Sequence, residues 1–523
     1  MTSPKQPQEL RVFDSIVIGA GISGLTAAAY LARGGARVLV CERSPKIGGL
    51  FNSFEKEGYT FDGGIKAVVN TGIVLPMLAQ LGIYDQLDLN PSRTAFITAG
   101  KYNPMRDPTE IESYFSFLGE LFPSCAAGLA RVLKDVRRID ELLGALLNFP
   151  NPLFTPKDLN KDLASAWFRE NSTALKKALG PMLLLNTPLH EYLKKHLPDP
   201  RLVNLINEVF PDGTTTFFGL GYFHLFRDYT YPSGGIGSIP MALAGVVEQN
   251  GGMILTDAEV SRILLNNGNA CGVSLADGRE FRSGSVLSTA DARLTFTELL
   301  PEGVIPGPFL KKMLKAKPSH SAVNVFLGIN IPVEELNLQG CNHIFFMPDL
   351  DGITEDDRID RADYFSRVLQ EISVPCLHNP ELAPKGKTGL VLSAMTRWEY
   401  ANGWELENGN PTPAYYQLKK RIADEMVHSL ESFIPGLSRK VELCITGTPY
   451  TIWQHTGNWQ GAIMGWSYEK KESYNRVNFL RIPKAVDTPI PGLYNAGHWA
   501  FSPGGSPIAV LTAKLAADRI LKT

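Results

Sequence analysis

The feature that most constrains the fold is a run of three glycines directly after an apolar segment, in SIVIGAGISGL at residues 15–25. The segment before the glycines is apolar and rich in β-branched residues, as expected of a strand buried on both faces in a parallel sheet. Small and apolar residues then recur at helical spacing up to Gly34, and a second apolar strand over 37–41 ends at Glu42. The order strand, glycine turn, helix, strand, acid predicts the first unit of a dinucleotide-binding α/β fold.

Each glycine has its own predicted task. Gly19 makes the tight turn, Gly21 lets the backbone approach a pyrophosphate, and Gly24 lets the helix pack closely on the strand. The N–H groups and the dipole at the start of the helix favour the phosphate charge. Glu42 is placed to accept hydrogen bonds from a ribose diol. A plain packing turn is the alternative, but the flanking strand, helix and acid favour a bound adenine dinucleotide.

The sequence after Glu42 carries a more specific pattern. Residues 43–64 read RSPKIGGLFNSFEKEGYTFDGG, with paired glycines at Gly48 and Gly49 and an FDGG turn that begins at Phe61. This stretch resembles the amino-terminal signature of the flavin-dependent amine oxidase and phytoene desaturase superfamily. The resemblance is strongest to the branch of carotenoid desaturases, carotene cis–trans isomerases and retinol saturase. It implies FAD as the cofactor.

The other end of the chain is similar to the second flavin motif of the same superfamily. Residues 491–521 predict a short strand over 493–496, a glycine-rich loop and a final helix, with Ser506 as N-cap and Pro507 as first helical residue. The positive end of that helix would stabilise negative charge on a reduced flavin.

A middle segment, residues 231–263, is similar to the superfamily's YPxGG segment. It predicts a helix from about 239 to 249 and a strand that ends near Val260. In the family the adenine lies against backbone groups at the position of Val260, and Ala290 and Asp291 lie where the chain returns to the cofactor.

The resemblance implies a set of FAD contacts spread over the whole chain. These are Gly19, Gly21, Ile22, Ser23, Gly24, Glu42, Arg43, Gly48, Gly49, Leu50, Gly63, Gly64, Ile65, Val260, Ala290, Gly497, His498, Ser506, Pro507 and Ile508. The chain departs from the family at two of them. It has Leu50 where an arginine is common, and His498 where many relatives have an acid or a small residue.

The cofactor motifs are far apart, so the predicted fold class is α/β, with a discontinuous Rossmann-like FAD-binding domain and a mixed α+β substrate domain containing a helical lid region. The FAD-binding parts are 1–75, 230–300 and 484–523, and the substrate parts are 76–229 and 301–483. An amphipathic helix is predicted over 129–146. The stretch 178–197 predicts a buried lid helix, with insertion into a membrane interface as the alternative.

A flavin transfers hydride at N5, so the protein need only hold a C–H bond or a double bond against that atom. Aromatic residues are dense in 217–231 and 450–466, which predicts a long apolar pocket for an isoprenoid or other lipid chain.

Lys66 and His498 are the ionisable candidates for catalysis near the flavin ring. The expected function is an FAD-dependent oxidoreductase that desaturates, saturates or isomerises carbon–carbon bonds of a hydrophobic polyene. Amine oxidation, or flavin or lipid binding without turnover, are the alternatives.

Composition limits the partners. The net charge of −2 provides no basic face for nucleic acid, and the six cysteines form no CxxC pair, which fits a reducing cytoplasm and no zinc site. The histidines have no metal-ligand spacing, so no metal is expected. No apolar run reaches the length of a spanning helix, which leaves a cytoplasmic protein or one in peripheral membrane contact. Without a second dinucleotide turn, oxygen, a quinone or a small redox protein is the expected electron partner.

Overall fold

The computed structural model describes residues 12–69, 71–147, 169–170, 172–173, 183–350, 361–474 and 479–523. The strands are β1 Val12–Ile18, β2 Val38–Cys41, β3 Ser53–Lys56, β4 Tyr59–Asp62, β5 Val68–Val69, β6 Leu89–Pro91, β7 Arg93–Thr98, β8 Lys101–Pro104, β9 Tyr229–Pro232, β10 Met253–Leu255, β11 Val260–Asn266, β12 Asn269–Leu275, β13 Glu280–Ser288, β14 Ser321–Ile329, β15 Cys341–Met347, β16 Gln370–Ser373, β17 Thr388–Thr396, β18 Leu406–Glu407, β19 Asn410–Pro411, β20 Val441–Gly447 and β21 Leu493–Asn495. The labelled helices are α1 Ile22–Arg33, α2 Val74–Gln80, α3 Pro108–Leu121, α4 Ala126–Leu147, α5 Leu189–His196, α6 Pro200–Asn207, α7 Thr216–Leu225, α8 Ser238–Gln249, α9 Gly307–Lys315, α10 Tyr364–Arg367, α11 Pro413–Leu430, α12 Pro449–Thr456 and α13 Ser506–Ile520.

The first sheet has the strand order β10-β2-β1-β13-β12-β11, and β21 pairs with β13 beyond the end of β12. Its β10, β2, β1, β13 and β21 are parallel, whereas β11 and β12 form an antiparallel meander on β13. Helix α1 crosses from β1 to β2 and packs against α8 and α13. Strands from three distant parts of the chain therefore build one dinucleotide-binding sheet, which confirms the predicted discontinuous fold class.

The second sheet has the order β20-β14-β17-β16-β15-β7-β8 and is antiparallel except between β15 and β7. Every residue of β14 and β15 is buried, because the sheet is covered on both faces. One apolar cluster joins Phe96, Phe345 and Met347 of this sheet to the apolar faces of α3 to α7. This is the mixed α+β arrangement predicted for the substrate domain; the individual domain boundaries stay a prediction.

Two helices were predicted in the part of the chain that covers this sheet, and the structure treats them differently. The helix predicted over 129–146 is α4, which buries Leu129, Val132 and Ile139 at helical spacing. Of the stretch 178–197, residues 178–182 lie outside the described residues. Its last part forms α5, whose Leu189 and Leu193 are buried in the same cluster. Residues 189–196 of this stretch therefore form a packed helix, whereas Leu183 is exposed.

Two predicted boundaries were wrong. Val260 begins β11 rather than ending a strand, because β10 stops at Leu255 and the chain turns at Asp257, where φ is 49°. The cap of α13 is Gly505, at φ 104°, and Ser506 is already helical, so Pro507 is its second residue. A residue with positive φ breaks the extended chain more sharply than a hydroxyl cap would, and glycine adopts that conformation at little cost. No helix among the described residues is long and apolar enough to cross a membrane.

Candidate functional site

A cleft of about 180 Å³ opens at the carboxyl ends of β1, β2 and β13. This edge of an open α/β sheet is where ligands bind in such folds. The cleft is lined by residues of the first glycine motif, the paired-glycine loop, the middle segment and the carboxy-terminal motif, but not by the FDGG turn. Of the predicted contacts, its wall contains Gly19, Gly21, Ile22, Ser23, Glu42, Arg43, Gly49, Leu50, Ile65, Val260, Ala290, Gly497, His498 and Ser506.

The glycine turn is shaped as its spacing predicts. Gly19 has φ +96°, and a Cβ on Gly24 would fall 1.9 Å from the Gly19 carbonyl oxygen. A Cβ on Gly21 would meet nothing within 4 Å, because that side of the backbone faces the cleft. The exposed main chain at Gly21 leads into the first turn of α1, so the turn fits a pyrophosphate.

Glu42 is fixed by the backbone around it. Its Oε2 accepts a hydrogen bond from the Ala20 N–H (2.7 Å) and its Oε1 accepts one from the Ser44 N–H (2.9 Å). A carboxylate oxygen accepts more than one hydrogen bond, so each oxygen retains capacity for a ribose hydroxyl. The same carboxylate thus braces the glycine turn and lines the cleft.

The paired glycines bring a second loop onto the first. Gly48 donates to the Ala20 carbonyl oxygen (2.8 Å), and a Cβ on Gly49 would lie 3.3 Å from the Gly21 Cα. Gly24, Gly48, Pro507 and Ile508 do not line the cleft, so their contact with the cofactor stays a prediction. Gly63 and Gly64 line the neighbouring cavity instead.

Arg43 lines the cleft, but its guanidinium is already engaged. It donates to the carbonyl oxygens of Trp453 (3.1 Å) and Gln454 (2.6 Å) in the last turn of α12. A cation at a helix C-terminus interacts favourably with the carbonyl groups there. Arg43 therefore holds α12 against the cofactor motif.

Asp62 of the FDGG turn is buried and joins three segments of the chain through hydrogen bonds. Its carboxylate accepts hydrogen bonds from the Tyr231 hydroxyl (2.5 Å), the Ser53 hydroxyl (2.7 Å) and the Ile236 N–H (3.0 Å). Burial raises the pKa of Asp62, and these three donors oppose the rise. Asp62 thus ties the amino-terminal motif to the YPSGG segment rather than touching the cleft.

A larger cavity of about 320 Å³ adjoins the cleft, and its wall is mostly apolar and aromatic. Four of the seven aromatic residues predicted in 217–231 line it: Phe218, Tyr222, Phe226 and Tyr229. The other three, Phe217, Phe223 and Tyr231, do not. In the second aromatic stretch, Trp453, Trp459 and Trp466 line neither space, whereas His455 lines the cleft.

Leu50, Ile65 and Ile463 line both the cleft and the cavity. The two spaces therefore meet at these three side chains. Leu50, which stands where the family commonly has arginine, is part of this apolar junction.

The two ionisable candidates lie on different sides of the junction. Lys66 is buried in the cavity wall, where its Nζ donates to the Gly64 carbonyl oxygen (2.7 Å) and lies 3.4 Å from Asn324 Oδ1. Burial lowers the pKa of Lys66, while the charges of Glu371 and Asp62 act in the opposite direction. His498 lines the cleft, and burial lowers its pKa to about 4, so the imidazole is neutral at physiological pH.

Sequence reasoning missed a polar group in the cavity wall. Asn324, His343, Glu371 and Ser393 lie on four strands of the second sheet and all line the cavity. Other polar residues occur in the same strands, such as Gln370 and Ser373 beside Glu371, and the spacing of the four residues in the chain shows no motif. The one available signal was an asparagine in the middle of the mostly apolar run SAVNVFLGI. Among the described residues, no group of three or more His, Cys, Asp or Glu is placed to hold a metal ion.

Comparison with known proteins identifies relatives over the whole chain. The family model described as flavin containing amine oxidoreductase matches residues 22–521. Prolycopene isomerase 2, chloroplastic, of an Oncidium hybrid cultivar is 30% identical over 527 residues, with 96% of this chain and 82% of the relative covered. All-trans-retinol 13,14-reductase of Rattus norvegicus is 28% identical over 543 residues, with 97% and 86% covered.

Solved structures share the fold. An oxidoreductase from Methanosarcina mazei superimposes with a TM-score of 0.60 at 19% identity, covering 98% of this chain and 100% of that one. A putrescine oxidase bound to putrescine gives 0.61 at 15% identity, covering 98% and 99%. The family match and the cleft agree, which confirms FAD as the cofactor and confirms the predicted superfamily branch.

Proposed function

Because the chain belongs to the flavin-containing amine oxidoreductase family, we propose that this FAD-dependent oxidoreductase acts on carbon–carbon bonds of a hydrophobic polyene. The reaction is a desaturation, a saturation or a cis–trans isomerisation. The observation that carries the proposal is the apolar cavity, which meets the cofactor cleft at Leu50, Ile65 and Ile463. Relatives named for prolycopene and retinol support the polyene class.

The cavity fits an extended unsaturated chain. FAD, when bound, supplies hydride transfer at N5. Phe218, Tyr222 and Phe226 offer ring surfaces to a polyene, and the apolar wall excludes water from it. A substrate in this cavity reaches the cofactor at the shared wall.

We assign roles to the two ionisable candidates from their positions. Lys66 is the group in the cavity wall that could hold or deliver a proton beside the reacting chain, since burial lowers its pKa. Neutral His498 would contact the cofactor from the cleft. The residues named above as lining the cleft are the proposed FAD contacts.

Electron partners and location also belong to the proposal. Oxygen, a quinone or a small redox protein would exchange electrons with the enzyme. The protein would be cytoplasmic or in peripheral contact with a membrane. Two leucines with exposed side chains near the helical layer, Leu146 (42% exposed) and Leu183 (78%), fit such a contact.

The test uses the purified flavoprotein. Its flavin absorbance is recorded first, and polyenes are then added in the oxidised state and after dithionite reduction. Bleaching of the flavin by substrate indicates desaturation, and consumption of reduced flavin by a polyene indicates saturation. Turnover only in the reduced state without net oxidation indicates isomerisation. Peroxide release with amines but no polyene conversion would overturn the proposal, as would bound FAD that no polyene affects.

A further inference from the structure

A row of polar side chains crosses one face of the second sheet inside the apolar cavity. Asn324 of β14 pairs in register with Ser393 of β17, and Ser393 pairs with Glu371 of β16. Directly paired residues of neighbouring strands point to the same face of a sheet. The three side chains therefore form one continuous polar row, with Phe345 beside Glu371 at its end.

The hydrogen-bonding groups of this row are only partly paired with other groups of the protein. The Ser393 hydroxyl donates to Asn324 Oδ1 (2.6 Å), which Lys66 Nζ also approaches at 3.4 Å. Within the described residues, the amide nitrogen of Asn324 makes no hydrogen bond. Glu371 Oε1 lies 2.9 Å from His343 Nε2, and 34% of the Glu371 side chain is open where it lines the cavity.

Charge restricts what can bind there. Burial would raise the pKa of Glu371, but His343 and Lys66 hold it below its usual range, so the carboxylate is ionised. The Lys66 amine lines the same cavity and carries a positive charge when it is protonated. A second cation would be repelled by protonated Lys66, whereas an apolar group would offer no hydrogen bond to the Asn324 amide nitrogen or to the cavity-facing part of Glu371, at a substantial cost.

We propose that the Asn324–Ser393–Glu371 row binds an uncharged hydrogen-bonding group of the substrate, and that this group is a hydroxyl. A hydroxyl can donate to the Glu371 carboxylate or accept from the Asn324 amide, as no hydrocarbon can. The inference rests on the proposed function and narrows its substrate class to a polyene alcohol. Glu371 is then a residue that determines specificity.

The test compares three ligands with one carbon skeleton: all-trans-retinol, the hydrocarbon with methyl in place of the hydroxymethyl group, and the corresponding primary amine. Dissociation constants for the FAD-loaded protein are measured by quenching of protein fluorescence. The alcohol should bind about tenfold or more tightly than the hydrocarbon, since a site built to bond a hydroxyl rejects the analogue that lacks it. Equal or tighter binding of the hydrocarbon, or tightest binding of the amine, would overturn the inference.

Substitutions of Glu371 test whether the polar row causes the preference for the alcohol. Glu371→Leu should reduce the preference for the alcohol to about twofold or less, and Glu371→Gln should retain part of it. Ser373→Ala is the matched control, because Ser373 is on the same strand and lies outside the cavity wall, and its hydroxyl has no hydrogen-bond partner among the residues that the structure describes. An unchanged preference in Glu371→Leu would also contradict the assignment.

This readout is independent of turnover. Alcohol-selective binding without conversion of any polyene would leave the inference intact and refute the proposed function. Conversion of polyenes without alcohol-selective binding would support the proposed function and refute the inference. If Glu371→Leu does not fold, the comparison of the three ligands on the natural protein still tests whether the site prefers an alcohol.

Discussion

The carbonyl oxygen of Gly19 occupies the place that a side chain on Gly24 would need, since a Cβ there would lie 1.9 Å from it. Gly21, between them, has open space on the corresponding side. The same short motif thus contains one glycine required by the fold and one whose missing side chain leaves room for a ligand.

The two glycines should therefore respond differently to alanine. Gly24→Ala forces α1 away from β1 and should lower the thermal stability of the protein with or without FAD. Gly21→Ala should lower the free energy of unfolding of the FAD-free protein by only about 1 kcal/mol or less, the cost of alanine in place of a glycine N-cap. It should nevertheless weaken FAD binding by about tenfold or more, a loss of about 1.4 kcal/mol.

The measurements are FAD titration and chemical unfolding of the FAD-free protein. Gly307→Ala is the control, because a Cβ there also meets nothing within 4 Å and Gly307 lies outside the cleft. Normal FAD affinity in Gly21→Ala would contradict the placement of the cofactor.

Glu42→Gln should weaken FAD binding and loosen the glycine turn. The carboxylate accepts from both Ala20 and Ser44, whereas glutamine would turn its amide nitrogen toward one of these donors. Hydrogen bonds to a charged acceptor contribute about 1.5–3 kcal/mol. Calorimetric titration with FAD measures the loss, and an affinity equal to that of the natural protein would exclude Glu42 as a ribose ligand.

Tyr231→Phe should lower the free energy of unfolding by about 1–3 kcal/mol, because it removes one donor from the buried carboxylate of Asp62. Urea unfolding measures the change. Tyr416→Phe is the control, since the Tyr416 side chain is exposed. Equal effects of the two variants would show that the Tyr231 hydroxyl contributes nothing to the junction.

His498 should make the protein less stable in acid. Its pKa is lowered from 6.5 to about 4 by burial, so the folded state takes up its proton later than the unfolded state. The resulting stability is fully present above pH 6.5 and is lost as the pH falls toward 4, by at most about 3 kcal/mol.

His498→Gln should remove this part of the pH dependence, which unfolding measured across that range would detect. His428→Gln, at an exposed helix position, should leave it unchanged. A variant of His498 with the natural pH profile would show that the imidazole is not desolvated.

The sequence was sufficient for the parts of the molecule that local chemistry dictates. The turn at Gly19–Gly21–Gly24 and the acid at Glu42 are fixed by short-range backbone geometry, so their spacing predicts both structure and ligand. The cap of α13 was displaced by one residue, because positive φ at Gly505 decided it rather than the Ser506 hydroxyl.

The polar row could not be predicted in the same way. Asn324, Glu371 and Ser393 become neighbours only through strand register, which depends on packing across the sheet. The same holds for Arg43, whose helix-end contacts come from residues more than 400 positions away in the chain.

The placement of β21 beside β13, with α13 against α1, has a consequence for biosynthesis. A chain still being translated has its first nucleotide motif early but lacks β21 and α13 until residues 493–520 have left the ribosome. Flavin loading therefore follows the synthesis of these residues, and chains that stop before residue 493 should stay colourless.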